Sequence, residues 1–251
     1  MINKEFYHLH IPKTGGTSLE VFLIQNVYPE FLKNNISIFK DDLNGAHLGW
    51  KPVNQNSYVV SSFRDPVKRI VSHFFWTLKL VEQFNPEVTW KNAHLIYPAT
   101  KIRDYKNPTK KEFMSWIEKN NQYLSNYQCK NFFYREDDSV SPKFLNGCTS
   151  PLSIEEFNKE ESINNILKTN ILLKTNDMKL DTFRKIYYEI LEEFDISYKN
   201  KNSHLIRAGL SNKNEKSKIF YNTLTQEEIN YIESLNIIDV EVYNTESLFW
   251  K

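Results

Sequence analysis

Apolar residues along this chain fall into two alternating rhythms: short runs rich in β-formers, and longer stretches with helical spacing. Residues 6–11 (FYHLHI) and 57–63 (SYVVSSF) are strand-like, and each leads into a turn and then a helical pattern. The first helix is predicted from about Thr17, with Leu19, Phe22, Leu23 and Val27 on one face. The second takes Asp65 as its N-cap and Pro66 as its first residue, then runs through Val67, Ile70, Val71, Phe74 and Phe75. A third unit follows, with a buried strand at 170–175 (NILLKT) and an amphipathic helix from Leu180 to Phe194. Capping-box patterns at 109–112 (TKKE), 153–156 (SIEE) and 225–228 (TQEE) start further helices, the last carrying Ile229, Ile232 and Leu235 and, after a break, Val242 and Leu248. Residues 84–108 and 196–217 read as long loops. Strands alternating with helices predict an α/β fold with a central parallel sheet covered on both faces, and no shift in composition divides residues 1–251, so one domain is expected.

Composition narrows the function. Lys and Arg number 32 against 31 for Asp and Glu, so an anion site must be a local cluster and a nucleic-acid reader is not expected. Cys129 and Cys148 are too few for a disulfide framework or a cysteine zinc site and are expected to be unpaired thiols. The first residues, Met1 to Glu5, carry no basic-then-apolar leader, and no apolar run reaches the roughly 18 residues of a membrane span, so a soluble, cytoplasmic protein is expected.

Two stretches carry chemistry. In HIPKTGGTS (10–18), Gly15 and Gly16 allow a sharp turn that points N–H groups inward at a helix N-terminus, Lys13 adds a charge, and Thr14, Thr17 and Ser18 add hydroxyls. Such a loop holds phosphate or, read alone, is a plain strand-to-helix connector with a solvated lysine, and its lysine precedes the glycines, the reverse of the nucleotide-triphosphate loop GxxxxGK[ST]. In SSFRDPVKRIVS (61–72), Arg64 ends the second strand, where open α/β sheets bind ligands, and Ser72 lies about two turns up the next helix. Taken separately, Arg64 is a salt-bridge residue and Ser72 a helix-surface serine. Together with the first loop they suit a nucleotide phosphorylated at both ends.

The pair PKTGGTS and FRDPVKRIVS resembles the 5′-phosphosulfate loop and the 3′-phosphate motif of sulfotransferases that use 3′-phosphoadenosine 5′-phosphosulfate (PAPS). The branch it resembles is that of the carbohydrate sulfotransferases related to heparan sulfate uronosyl 2-O-sulfotransferase. GAHLGW (45–50), NYQCKNFFY (126–134), ILLKTNDMKLDTF (171–183) and NKNSHLI (200–206) extend the likeness more loosely. The resemblance implies a P-loop-NTPase-like three-layer sandwich and a sulfuryl transfer from PAPS to a hydroxyl that needs no metal. It gives Lys13 the leaving phosphate oxygen and Thr14, Gly15, Gly16, Thr17 and Ser18 the phosphosulfate cradle. Arg64 and Ser72 take the 3′-phosphate, Lys201, Ser203 and His204 the loop that closes over the nucleotide, and His47 the part of acceptor base.

The family resembled acts on polyanionic glycosaminoglycans, but the near-neutral charge and lack of a disulfide set here point instead to a saccharide, a lipid-linked sugar or a small metabolite as the expected acceptor. A P-loop small-molecule kinase, or a non-catalytic nucleotide-binding protein of the same fold, are the alternatives. His8 and His10 share a strand face without an evident third ligand and are expected to line the core or the site. His73 is expected to pack, and Glu20 to cap or face solvent. His94, with Trp90, Tyr97 and Arg103, falls in a stretch expected to be either an acceptor-side loop that binds a sugar or a simple packed loop.

Overall fold

The computed structural model describes residues 4–11, 13–40, 57–83, 102, 104, 106–133, 157–197 and 215–250. Among them four strands form one sheet: β1 (Glu5–Leu9), β2 (Ile38–Lys40), β3 (Ser57–Phe63) and β4 (Ile171–Lys174). All neighbours are parallel and the order is β2-β1-β3-β4. β1 ends at Leu9, two residues earlier than the apolar run suggests. The Ser61 hydroxyl donates to the Leu9 carbonyl at 2.8 Å, and the Ile11 carbonyl is taken by the Thr14 hydroxyl at 2.8 Å, so the chain leaves the ladder there. β2 was not expected from the sequence. It is three residues long, too short for its alternation to stand out.

Side chains alternate across β1, β3 and β4, and both faces they form carry apolar residues. Phe6, Tyr58, Val60, Ile171 and Leu173 face a helical layer made of α1 (Gly16–Phe22), α2 (Tyr28–Lys33) and α8 (Leu180–Glu193), where Phe22 stacks on Phe183 with centroids 4.7 Å apart. α1 and α2 form one helical run through a π-turn, Leu23–Val27. Pro29 follows at once, and its missing N–H removes one ordinary helical bond, which accounts for a widened turn at this point. Tyr7, Leu9, Val59, Phe63 and Leu172 face the other way, onto α6 (Tyr127–Asn131), α7 (Lys159–Leu167) and α11 (Ile237–Asn244). β1 therefore reaches β2 over one face and β3 reaches β4 over the other, and the sheet carries helices on both sides.

α3 (Pro66–Gln83) opens as expected, the Asp65 carboxylate accepting the Lys68 N–H at 2.9 Å with Pro66 in the first turn. Its apolar stripe, Ile70 and Phe74, packs with Phe113 and Trp116 of α4 (Lys110–Lys119), Phe220 of α9 (Glu215–Tyr221) and Ile232 of α10 (Gln226–Leu235). The short helix α5 (Asn121–Leu124) leads into α6. Capping boxes form at Thr109/Glu112 and Thr225/Glu228 as the sequence predicts, while the third, 153–156, lies outside the described residues. α7 is capped instead by Asn158. Of the stretch 196–217 expected to be a loop, residues 198–214 lie outside the described residues and 215–217 are helical, since α9 begins at Glu215 and is anchored by Phe220 against Phe75 and Phe113. Cys129 is a buried free thiol, and among the described residues no helix is long and apolar enough to cross a membrane.

Candidate functional site

The strand order places a switch point between β1 and β3, since the chain leaves β1 for one edge of the sheet and β3 for the other. Ligands of open α/β sheets bind outside the carboxyl ends of the strands at such a point. HIPKTGGTS and FRDPVKRIVS both begin there.

The first loop is held from below. Thr14 is fully buried and its hydroxyl proton goes to the Ile11 carbonyl, so in the 2.9 Å contact between the Thr14 and Ser62 hydroxyls Ser62 is the donor. The Thr175 hydroxyl donates to the Thr14 carbonyl and lies 3.2 Å from the Phe63 carbonyl, tying the loops after β1, β3 and β4 together. The Thr14 side chain is thus a fastener of the loop rather than an outward donor. Lys13 and Gly15 both take left-handed backbone, with φ of 67° and 88°. That is ordinary for glycine and strained for lysine, and it is held here by the fixed Thr14 between them.

Gly16 opens α1, and the N–H groups of Gly16 and Thr17 have no acceptor within the helix. A Cβ on Gly16 would lie 2.0 Å from Cδ2 of the His10 ring. On Gly15 it would lie 2.9 Å from Sδ of Met178. The His10 ring excludes a side chain at Gly16 by contact, whereas at Gly15 the Met178 thioether can shift and the left-handed backbone is the constraint. His10 is buried, stacked on His8 with centroids 5.7 Å apart, and its Nδ1 is 3.6 Å from Glu20 Oε2. The two histidines line the underside of the loop. Thr17 is exposed and Ser18 buried.

The two motifs reach into one another. Arg64 Nη1 donates to the Lys13 carbonyl at 3.2 Å, and the Lys13 ammonium lies 5.3 Å from the centroid of Trp76 on α3, a cation–π contact. Ser72, largely buried, lies one turn before Trp76 on the same helix. Burial lowers the pKa of Arg64, while Asp65 and Tyr243 beside it act the other way. Beneath them Arg69 is fully buried, its guanidinium 4.4 Å from the Tyr127 ring centroid and its Nη1 3.4 Å from His73 Nδ1, with burial pulling its pKa down to about 10. Burial holds His73 well below the ordinary histidine range, and the charges of Arg69 and Lys13 add to this. Neutral His73 therefore accepts from Arg69, and it packs edge-on against Trp76, Trp116 and Tyr127.

His47, Lys201, Ser203 and His204, and the acceptor-side loop around His94, lie outside the described residues. Residues the sequence did not single out complete the site: Trp76, Arg69, Thr175, Gln128 and Asp239. Asp239 stands as a single acid in IIDV, which is the signal it leaves in the sequence, whereas Gln128, within SNYQCKN, leaves none. Among the described residues no group of three or more His, Cys, Asp or Glu is arranged to hold a metal ion. No family model matches the chain, and no curated protein matches it.

Two outcomes test this geometry. Gly16→Ala is expected to destabilise the fold by about 1–3 kcal/mol through overpacking against His10. Urea unfolding should show His10→Ala/Gly16→Ala losing less than the sum of the single changes. His73 is neutral when folded and takes a proton near pH 6.5 when unfolded, so its contribution is complete above that pH and lost below it. Between about pH 6.5 and 5 the wild type should lose up to about 1.4 kcal/mol per pH unit relative to His73→Gln, read from urea curves at each pH.

Proposed function

We propose that this chain is a sulfotransferase that moves the sulfuryl group of PAPS to a hydroxyl of an acceptor, a carbohydrate in the reading the sequence supports, on a P-loop-NTPase-like sandwich. The observation that carries the reading is the contact between the two motifs, Arg64 Nη1 on the Lys13 carbonyl at the β1/β3 switch point. It joins the guanidinium of one motif to the backbone of the lysine of the other at the carboxyl ends of β1 and β3, which supports a ligand with an anionic group at each end.

The residues present fit such a ligand: the Lys13 ammonium, the Arg64 fork, the opening N–H groups of α1 and the Ser72 hydroxyl all offer donors. PAPS supplies an activated sulfuryl group and leaves as the 3′,5′-bisphosphate (PAP). Lys13 is placed to stabilise the negative charge that grows on the bridging phosphate oxygen. The N–H groups of Gly16 and Thr17, at the positive end of the helical run, hold the 5′ end. Arg64 and Ser72 hold the 3′-phosphate. His47 takes the acceptor hydroxyl's proton as the new O–S bond forms and the old one breaks, a contribution of about 10²–10⁴ in rate. Lys201, Ser203 and His204 close over the nucleotide. The proposal invokes no metal.

Thermal-shift titration with PAP, ATP and ADP, with and without magnesium, tests it. PAP should stabilise the protein without magnesium, and Lys13→Ala and Arg64→Ala should lose most of that shift. His47→Ala should keep the shift and lose transfer of [35S]sulfate. A preference for ATP with magnesium would overturn the reading in favour of a kinase.

A further inference from the structure

The Arg64 side chain can act on a ligand only if its backbone is fixed, and Arg64 is the first residue past the end of β3. Where the sheet ladder stops, a side chain replaces it. Gln128 Oε1 accepts the Arg64 N–H at 2.8 Å, and Gln128 Nε2 donates to the Arg64 carbonyl at 2.8 Å. A primary amide paired at both points with one residue's backbone does what a neighbouring strand does, and it sets the two peptide planes that flank Arg64. The direction of the Arg64 Cα–Cβ bond, and with it the reach of the guanidinium to Lys13, follows from that pairing.

Gln128 is itself fully buried and held. Its N–H donates to Asp239 Oδ2 at 3.1 Å and its Nε2 lies 3.4 Å from the same oxygen, while the Cys129 N–H donates to Asp239 Oδ1 at 2.9 Å. Asp239 thus caps the start of α6 from α11. The favour is returned, because Asn126 Oδ1 accepts the N–H groups of Ile238 at 2.9 Å and Asp239 at 3.3 Å, and the Asn126 N–H donates to Asn236 Oδ1 at 3.0 Å. Two helix starts lock each other, and Gln128 projects from the lock onto Arg64.

We infer that Gln128, seated by Asp239, is a positioning residue that aims Arg64, and that it thereby sets the site's selectivity for a nucleotide bearing a 3′-phosphate over one without it. The inference rests on the reading of Arg64 as the 3′-phosphate ligand. A side chain needed only for folding would, when changed, lower stability and weaken all nucleotides alike. One that aims Arg64 weakens only those that carry the group Arg64 binds.

The test is isothermal titration of PAP and of adenosine 5′-monophosphate, which lacks the 3′-phosphate, into the wild type, Gln128→Met, Asp239→Asn, Arg64→Ala and the Arg64→Ala/Gln128→Met double variant. Thermal denaturation of each monitors the fold. Gln128→Met is close in volume and removes both contacts. It should weaken PAP by about tenfold or more and the monophosphate by less than about twofold. Adding Gln128→Met to Arg64→Ala should cost PAP nothing further, because the two act through one guanidinium. Asp239→Asn keeps oxygen acceptance at one atom, and should shift the PAP-to-monophosphate ratio in the same direction by less, which keeps the test open if Gln128→Met does not fold. A folded Gln128→Met or Asp239→Asn protein with an unchanged ratio overturns the positioning role while leaving the proposed function standing. A wild type that binds PAP no better than the monophosphate overturns both.

Discussion

The parallel pairing of β1 with β3 is the constraint on which the rest depends. Its register, Glu5 opposite Ser57 through Leu9 opposite Ser61, starts the two strands level and ends β1 two residues short of the end of β3, and the connections then depart over opposite faces of the sheet. Two loops distant in sequence are therefore left side by side with no helix crossing between them. Strand spacing of about 4.8 Å brings the loops within reach of one another, and the Thr14–Ser62 and Thr175 contacts then fix them. A lysine from one loop and an arginine from the other can cross that gap in opposite directions, and they do.

Bringing positive charge together at the end of a sheet has a cost, and the structure meets it beneath the site. Arg69 has no solvent to screen it, so it lies over Tyr127, donates toward His73 and shares its surroundings with the buried carboxylate of Asp239. Burial raises the pKa of Asp239, but the N–H groups of Gln128 and Cys129 and the nearby Arg69 all oppose that rise. Removing one member of such a set leaves the other charge buried and uncompensated, which is more damaging than the pair is stabilising. The same atoms that balance charge also hold Gln128. Stability and aim are consequently coupled at this point, and a change there has to be judged by ligand selectivity rather than by melting temperature alone.

What the sequence made legible was local. Thr109 and Glu112 are three residues apart, as are Thr225 and Glu228, and a capping box is decided within that span. SYVVSSF needed no partner to be read as a strand, and Gly15 and Gly16 announced a turn, although the His10 ring that forbids a side chain at Gly16 is a tertiary fact. Where partners are remote the sequence was silent. Gln128 meets Arg64 across 64 positions and Asp239 across 111. β2 has only three residues and gains its identity from the neighbouring β1, while α9 is fixed by where Phe220 lands. The motifs were readable, and the scaffold that aims them was not.

His73 shows why proximity to the charged groups does not make a histidine a base. It is neutral, which is the state a base needs, and it lies near Lys13 and Arg69. Accepting a proton, however, would place an imidazolium 3.4 Å from a buried guanidinium, with three aromatic rings around it in place of water. The forces that keep it neutral are the ones that would oppose the transition state. His73 serves instead as an acceptor that lets α3 carry Arg69 inward. The proposed reaction therefore gives the proton not to His73 but to His47 of GAHLGW, which falls between the two motifs in the chain and lies outside the described residues.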